Sequence, residues 1–171
     1  MTSAELLADA FDRIQQVVSR ALDGMTDEQL ATRVGPAANP VAWLVWHLTR
    51  IQDDHVAGVA GTEQAWTADG WYDRFGLPFD PADHGYGHTT EQVAAVRVSG
   101  ELLAGYHAAV HANTDAYVRT LVDADLDRVV DTSWDPPVTA GVRLVSVIGD
   151  ALQHLGQAAY VRGVAERNSS S

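Results

Sequence analysis

Asp150 and His154 are a carboxylate and an imidazole four residues apart. On a helix that separation stacks both side chains on one side, which is one way to present two metal ligands together. His47 is a third candidate, at the end of the run Asn39-Pro40-Val41-Ala42-Trp43-Leu44-Val45-Trp46-His47. Two imidazoles and one carboxylate leave coordination positions open, as catalytic zinc sites and non-haem iron sites do. Each residue also has a plainer reading. A buried histidine can be hydrogen-bonded core, and Asp-x-x-x-His can be a surface pair.

Other polar residues compete for roles. His107 and His111 form a second pair four apart, inside an apolar arc with Leu103, Val110 and Val118. They are a rival ligand pair, pocket-lining groups that move protons, or partly buried structural histidines. Asp54 lies two turns beyond His47 on nearly the same line, flanked by His55, and is a further candidate for proton transfer. His84 and His88 sit in an aromatic loop that could approach the site from above. Arg162 falls within the apolar arc near the C-terminus. It could pair with a carboxylate on a ligand, or lay its stem on apolar surface and send its head to water.

Helices must position these groups. Thr2 and Glu5 have capping-box spacing, and apolar residues recur at helical period from Leu6 to Leu22, ending at Gly24. Thr26 and Gln29 predict a short helical turn. Asn39-Pro40 predicts an N-cap and a first helical residue, opening a second helix that stops around Gly61. A long aromatic and turn-rich crossover follows to about His88. Thr89 and Gln92 open a third helix, expected to continue to about Val122. Trp134 to Val138 reads as a rigid loop, and a fourth helix is expected from about Val142 to Glu166. Gly149 and Gly156 on that helix would let a neighbouring element approach closely. No strand-period segment of convincing length is present. The fold class is therefore all-α, a four-helix bundle with a long crossover between helices 2 and 3. The expectation is one domain over 1–171, with Asn168 to Ser171 a frayed tail.

Composition narrows the function. The chain has 171 residues, 46% of them hydrophobic, enough for a single sizeable core. It has no cysteine, so any thiol in its chemistry must arrive with a ligand. Eleven basic residues, all arginine, stand against 23 acidic ones for a net charge of −12, which disfavours nucleic acid as a partner. No apolar run is long enough to span a membrane, and the N-terminus lacks a signal-peptide pattern. The expected location is cytoplasmic.

The run Asn39 to Leu48 and the segment Leu144-Val145-Ser146-Val147-Ile148-Gly149-Asp150-Ala151-Leu152-Gln153-His154-Leu155-Gly156-Gln157 together resemble the DinB-like (damage-inducible B) metalloenzyme superfamily. The resemblance covers essentially the whole chain. It implies a bundle with His47, Asp150 and His154 around a divalent ion, zinc or nickel first and iron next, and frequently a homodimer. The family commonly has a histidine where Asp150 stands. Members similar to mycothiol-dependent maleylpyruvate isomerase carry a carboxylate there. What the resemblance implies for activity is a transferase or isomerase using mycothiol or a similar small thiol. A metal-bound thiol would be deprotonated, and the thiolate is the reactive form. The other readings are metal-assisted hydrolysis with water in the open position, and a non-catalytic metal-binding helical dimer.

Overall fold

Three threonines begin helices by the same device, as seen in a computed structural model that describes residues 1–169. Thr2, Thr26 and Thr89 each accept the backbone N–H three residues on, while Glu5, Gln29 and Gln92 reach back to the threonine N–H. Each such cap is worth about 1 kcal/mol. The helices in chain order are α1 (Ser3–Leu22), α2 (Asp27–Leu30), α3 (Val41–Ala60), α4 (Ala65–Ala68), α5 (Trp71–Phe75), α6 (Thr90–Ala95), α7 (Gly100–Val118) and α8 (Ala140–Ser169). A 3₁₀ turn, Asp123–Asp127, precedes a two-stranded antiparallel ribbon, β1 (Val129–Asp131) and β2 (Val138–Thr139).

The four long helices pack in a ring, α3 against α7 and α8, and α1 against the same two. The chain is mostly helical, as the periodicities require. The core runs through Phe11, Ile14, Leu44, Trp46, Leu48, Leu103, Tyr106, Leu144 and Leu155. Burying each of these large side chains contributes about 1.5–3 kcal/mol. In α3, 16 of 20 residues are buried, including the unbroken run Val41 to Asp53, so it is covered on more sides than its bundle neighbours alone require. The crossover supplies part of that cover. Trp66 of α4 packs edge-on against Trp46, and Phe79 lies 5.5 Å from the same ring.

Several boundaries differ from expectation. The third helix is two pieces, because Val96 to Ser99 leave the helical path and Ser99 caps a fresh start at Gly100. Two β-branched residues, a capping serine and a glycine account for the break. Pro40, not Asn39, is the N-cap of α3, and it makes no side-chain cap bond. The fourth helix begins at Ala140, just after the ribbon that sequence periodicity did not anticipate. At its other end α8 extends to Ser169, and residues 170–171 of the expected tail lie outside the described residues.

Candidate metal centre

His47 sits mid-way along α3, where helical period points it at α8, and only 5% of it is exposed. Asp150 and His154 rise from α8 on the facing side. One donor atom from each of the three lies within 4.8 Å of the other two. No other group of three such donors gathers this closely among the described residues.

The surroundings select which atoms face inward. His47 Nδ1 stands 2.5 Å from the carbonyl oxygen of His84, which can only accept, so Nδ1 carries the proton and Nε2 keeps its lone pair. Trp43, one turn earlier, lies flat on the His47 ring at 4.6 Å and 11°. His154 Nδ1 reaches Gln157 Oε1 at 3.3 Å, while its Nε2 stands 3.5 Å from Asp150 Oδ1. Each imidazole thus has Nδ1 held from behind, as ligating histidines need, and His154 directs Nε2 toward Asp150. Asp150 Oδ2 is buried and has no hydrogen-bond partner. A buried carboxylate oxygen left unpaired is costly, and a cation between the three residues would satisfy it.

Charge is distributed accordingly. Burial pushes His47 down to about 4, against the raising effect of the His84 carbonyl, so this ring is neutral and ready to coordinate. The hydrogen bond to Asp150 holds His154 above the ordinary imidazole value. For Asp150, burial raises the carboxyl, but His154, His47 and His55 outweigh it and keep it below the usual range. The site is thus a carboxylate with a neutral imidazole and one that shares its proton.

The other candidates are placed differently. Asp54 accepts from Gln64 Nε2 at 2.8 Å and stands 3.4 Å from His55 Nδ1, further along α3 toward the start of α8. His55 is held below its ordinary value by burial and then by Arg143. His107 and His111 face α1, not the donor cluster. His107 Nδ1 meets Gln15 Oε1 and His111 Nε2 stands 3.1 Å from Asp12. They do not join His47 as rival ligands, because α7 presents them to its other neighbour. Arg162 bonds Glu166 at 2.7 Å and the backbone carbonyl of Arg20, so its guanidinium is occupied in closing α8 onto the end of α1.

The aromatic loop does approach the site, by the main chain of His84 and not its ring, and Trp43 and Gly85, which the sequence did not single out, complete the surroundings. Trp43 lies on the face of His47, the carbonyl of His84 meets its edge, and the backbone of Gly85 lies against the same ring. His88 accepts the Trp43 indole N–H at 3.1 Å and stands 3.0 Å from Asp83. The signal for Trp43 was its spacing, one turn before His47. The carbonyl of a distant loop leaves no such trace.

The family profile for mycothiol-S-transferase matches residues 6–166. A solved structure of a conserved protein of locus from Enterococcus faecalis is 34% identical, with a TM-score of 0.88 over 95% of this chain and 96% of that one. A DinB-like protein from Bacillus cereus shares the fold at 16% identity, with a TM-score of 0.65 over 95% of this chain and 92% of that one. No curated protein matches the chain.

Proposed function

The chain belongs to the mycothiol-S-transferase family, whose fold is DinB-like, and on that premise we propose that it is a metal-dependent thiol S-transferase or isomerase. The observation that carries the reading is the convergence of His47, Asp150 and His154 within 4.8 Å, in a chain with no cysteine of its own. The four long helices serve as a four-helix bundle that holds His47 of α3 against the ligands of α8. Zinc or nickel, with iron next, suits two imidazoles and a carboxylate.

When bound, the divalent ion lowers the pKa of a coordinated thiol so that the sulfur is present as thiolate. The chain's own residues do the rest. His47, His154 and Asp150 would hold the ion, the histidines through their ring nitrogens and Asp150 through its carboxylate. The His84 carbonyl and Trp43 keep the His47 ring from turning. The half-buried Asp54 and His55, whose Oδ2 and Nδ1 stand 3.4 Å apart further along α3, would take up the thiol proton. As sulfur bonds an electrophilic carbon and the displaced group leaves with the bonding electrons, Asp54 and His55 would return that proton to it.

The reading includes a homodimer in the cytoplasm. Val142, Val145, Leu152 and Tyr160 leave an exposed apolar stripe along α8, which supports pairing with a second copy. No helix among the described residues is long and apolar enough to cross a membrane.

The test is reconstitution with cobalt(II) followed by mycothiol, watching for a thiolate-to-metal charge-transfer band, then conjugation of a bimane electrophile followed by mass spectrometry. A band and a thiol-dependent product in the wild type, both lost in His154→Ala, are expected. Failure of the wild-type protein to take up the metal, or a metal-loaded protein whose spectrum ignores the thiol, would overturn the reading.

A further inference from the structure

Arg50 is completely buried, one turn beyond His47 on α3. An interior guanidinium is expensive unless its donors are satisfied, so where they go shows what it holds. One end serves the core. Nη1 donates to Gln64 Oε1 at 2.7 Å and to the Tyr106 hydroxyl at 3.3 Å, and stands 3.7 Å from Asp53 Oδ2. The other end serves the crossover. Nε donates to the carbonyl of Asp83 at 3.2 Å, and Nη2 to the carbonyl of Pro81 at 3.4 Å. The next carbonyl along the chain is that of His84, the one that fixes His47.

Asp83 grips the same turn from outside. Its carboxylate accepts the Gly85 N–H at 2.8 Å and stands 3.0 Å from His88 Nε2. His88 in turn accepts the indole N–H of Trp43, the ring lying on His47. The tautomer of His88 follows: Nδ1 accepts, so Nε2 carries the proton and donates to Asp83. The turn from Pro81 to His88 therefore reaches His47 along two routes, by the His84 carbonyl at its edge and by Trp43 on its face. Both routes start at Asp83.

We propose that Arg50 and Asp83 are positioning residues that hold the His84 carbonyl and the Trp43 ring against His47, and so set the metal affinity of a site neither of them touches. This rests on the metal reading above for its consequence, though not for its geometry. Lysine cannot replace Arg50 in this role. An ammonium's donors all radiate from one atom, whereas the guanidinium reaches the two loop carbonyls and Gln64 through separate nitrogens, Nε, Nη2 and Nη1.

The experiment compares the wild type with Arg50→Lys, Asp83→Asn and the exposed control Arg13→Lys. Two readouts are taken: nickel(II) affinity by competition with a chromophoric chelator, and the His47 tautomer in the metal-free protein by ¹⁵N nuclear magnetic resonance. Arg50→Lys and Asp83→Asn are each expected to weaken nickel binding about 10–100-fold with helicity unchanged, and to turn the single Nδ1–H tautomer into a mixture. Asp83 is on the outer side of the turn, so its variant carries the test if Arg50→Lys fails to fold. A wild type that binds nickel, with both folded variants matching it in affinity and tautomer, overturns the proposal. A wild type that binds no metal defeats the function proposed above, and the tautomer measurement then decides the clamp alone.

Discussion

Gly85 leaves no room between its own backbone and the imidazole of His47: a Cβ at that position would stand 2.9 Å from Nδ1, and equally close to Trp46. Its φ of +93° is also one that side-chain-bearing residues rarely adopt. Gly85→Ala therefore combines backbone strain with overpacking, together about 2–4 kcal/mol of destabilisation. The urea midpoint should fall accordingly, and nickel binding should weaken because the crossover must lift away from His47. An unchanged midpoint would mean that the turn yields without cost and does not brace the site.

Asp53 supports a second prediction. Its carboxylate accepts the backbone N–H groups of Ala65 and Trp66 and the Tyr106 hydroxyl, at 2.7–2.9 Å, beside buried Arg50. Asp53→Ala leaves that guanidinium without its counter-charge and two amides without acceptors, a loss of about 3–5 kcal/mol. Tyr106→Phe removes one hydroxyl whose partners keep other bonds, so about 1 kcal/mol is expected. Chemical denaturation of both variants distinguishes a central carboxylate from an incidental one, because the latter would give equal, small losses.

Acid should destabilise the metal-free protein through its buried histidines. Burial holds His47 at about 4 and His107 at about 3, the latter with help from His111. Unfolded histidine titrates near 6.5. As pH falls below that value the unfolded chain binds protons that the native state refuses, so stability drops between about 6.5 and 4. Each histidine accounts for about 2 kcal/mol of that loss at pH 5. His154 is raised, so its own contribution is lost as pH rises through its folded value and lies outside this window. His107→Gln should shrink the difference in stability between pH 8 and pH 5 by about 2 kcal/mol. Urea melts of the variant and the wild type that differ equally at both pH values would remove His107 from the acid response.

The sequence made the candidate donors of α8 legible because their code is local. Asp150 and His154 share one helix face by spacing alone, and three threonine caps mark helix starts that the structure contains. His47 shares the inward arc of α3 with Leu44, Leu48 and Ile51, so helical period alone required it to be buried, and the resemblance reinforced it as the third candidate donor. What stayed hidden is contact between distant segments. The partner of Nδ1 on His47 is a main-chain oxygen 37 residues away, which no side-chain pattern encodes. Arg50 stands among Thr49, Gln52, Asp53 and Asp54, so nothing in the sequence marked it as buried, and its carbonyl partners belong to a loop without periodicity. His107 and His111 had the same four-residue spacing as the α8 pair. They face α1 because the rotation of α7 is set by packing, with Tyr106 and Val110 taking the core.

Metal should stabilise the fold by a calculable amount. An ion that binds only the native state adds about 2.7 kcal/mol at a hundredfold excess over its Kd, or roughly 5–10 °C in Tm for a chain of this size. Asp150→Ala isolates the carboxylate's part in that gain. Its Oδ2 is buried without a partner in the metal-free protein, so deleting it removes an unsatisfied acceptor as well as the bond to His154. The two effects oppose each other, and the metal-free variant should melt within about 2 °C of the wild type. Its Tm should no longer respond to nickel or zinc. Differential scanning fluorimetry with and without each ion reads both effects in one plate. A variant that still gains the full shift would show that the carboxylate is not a ligand, and would leave His47 and His154 to hold the ion with some other group.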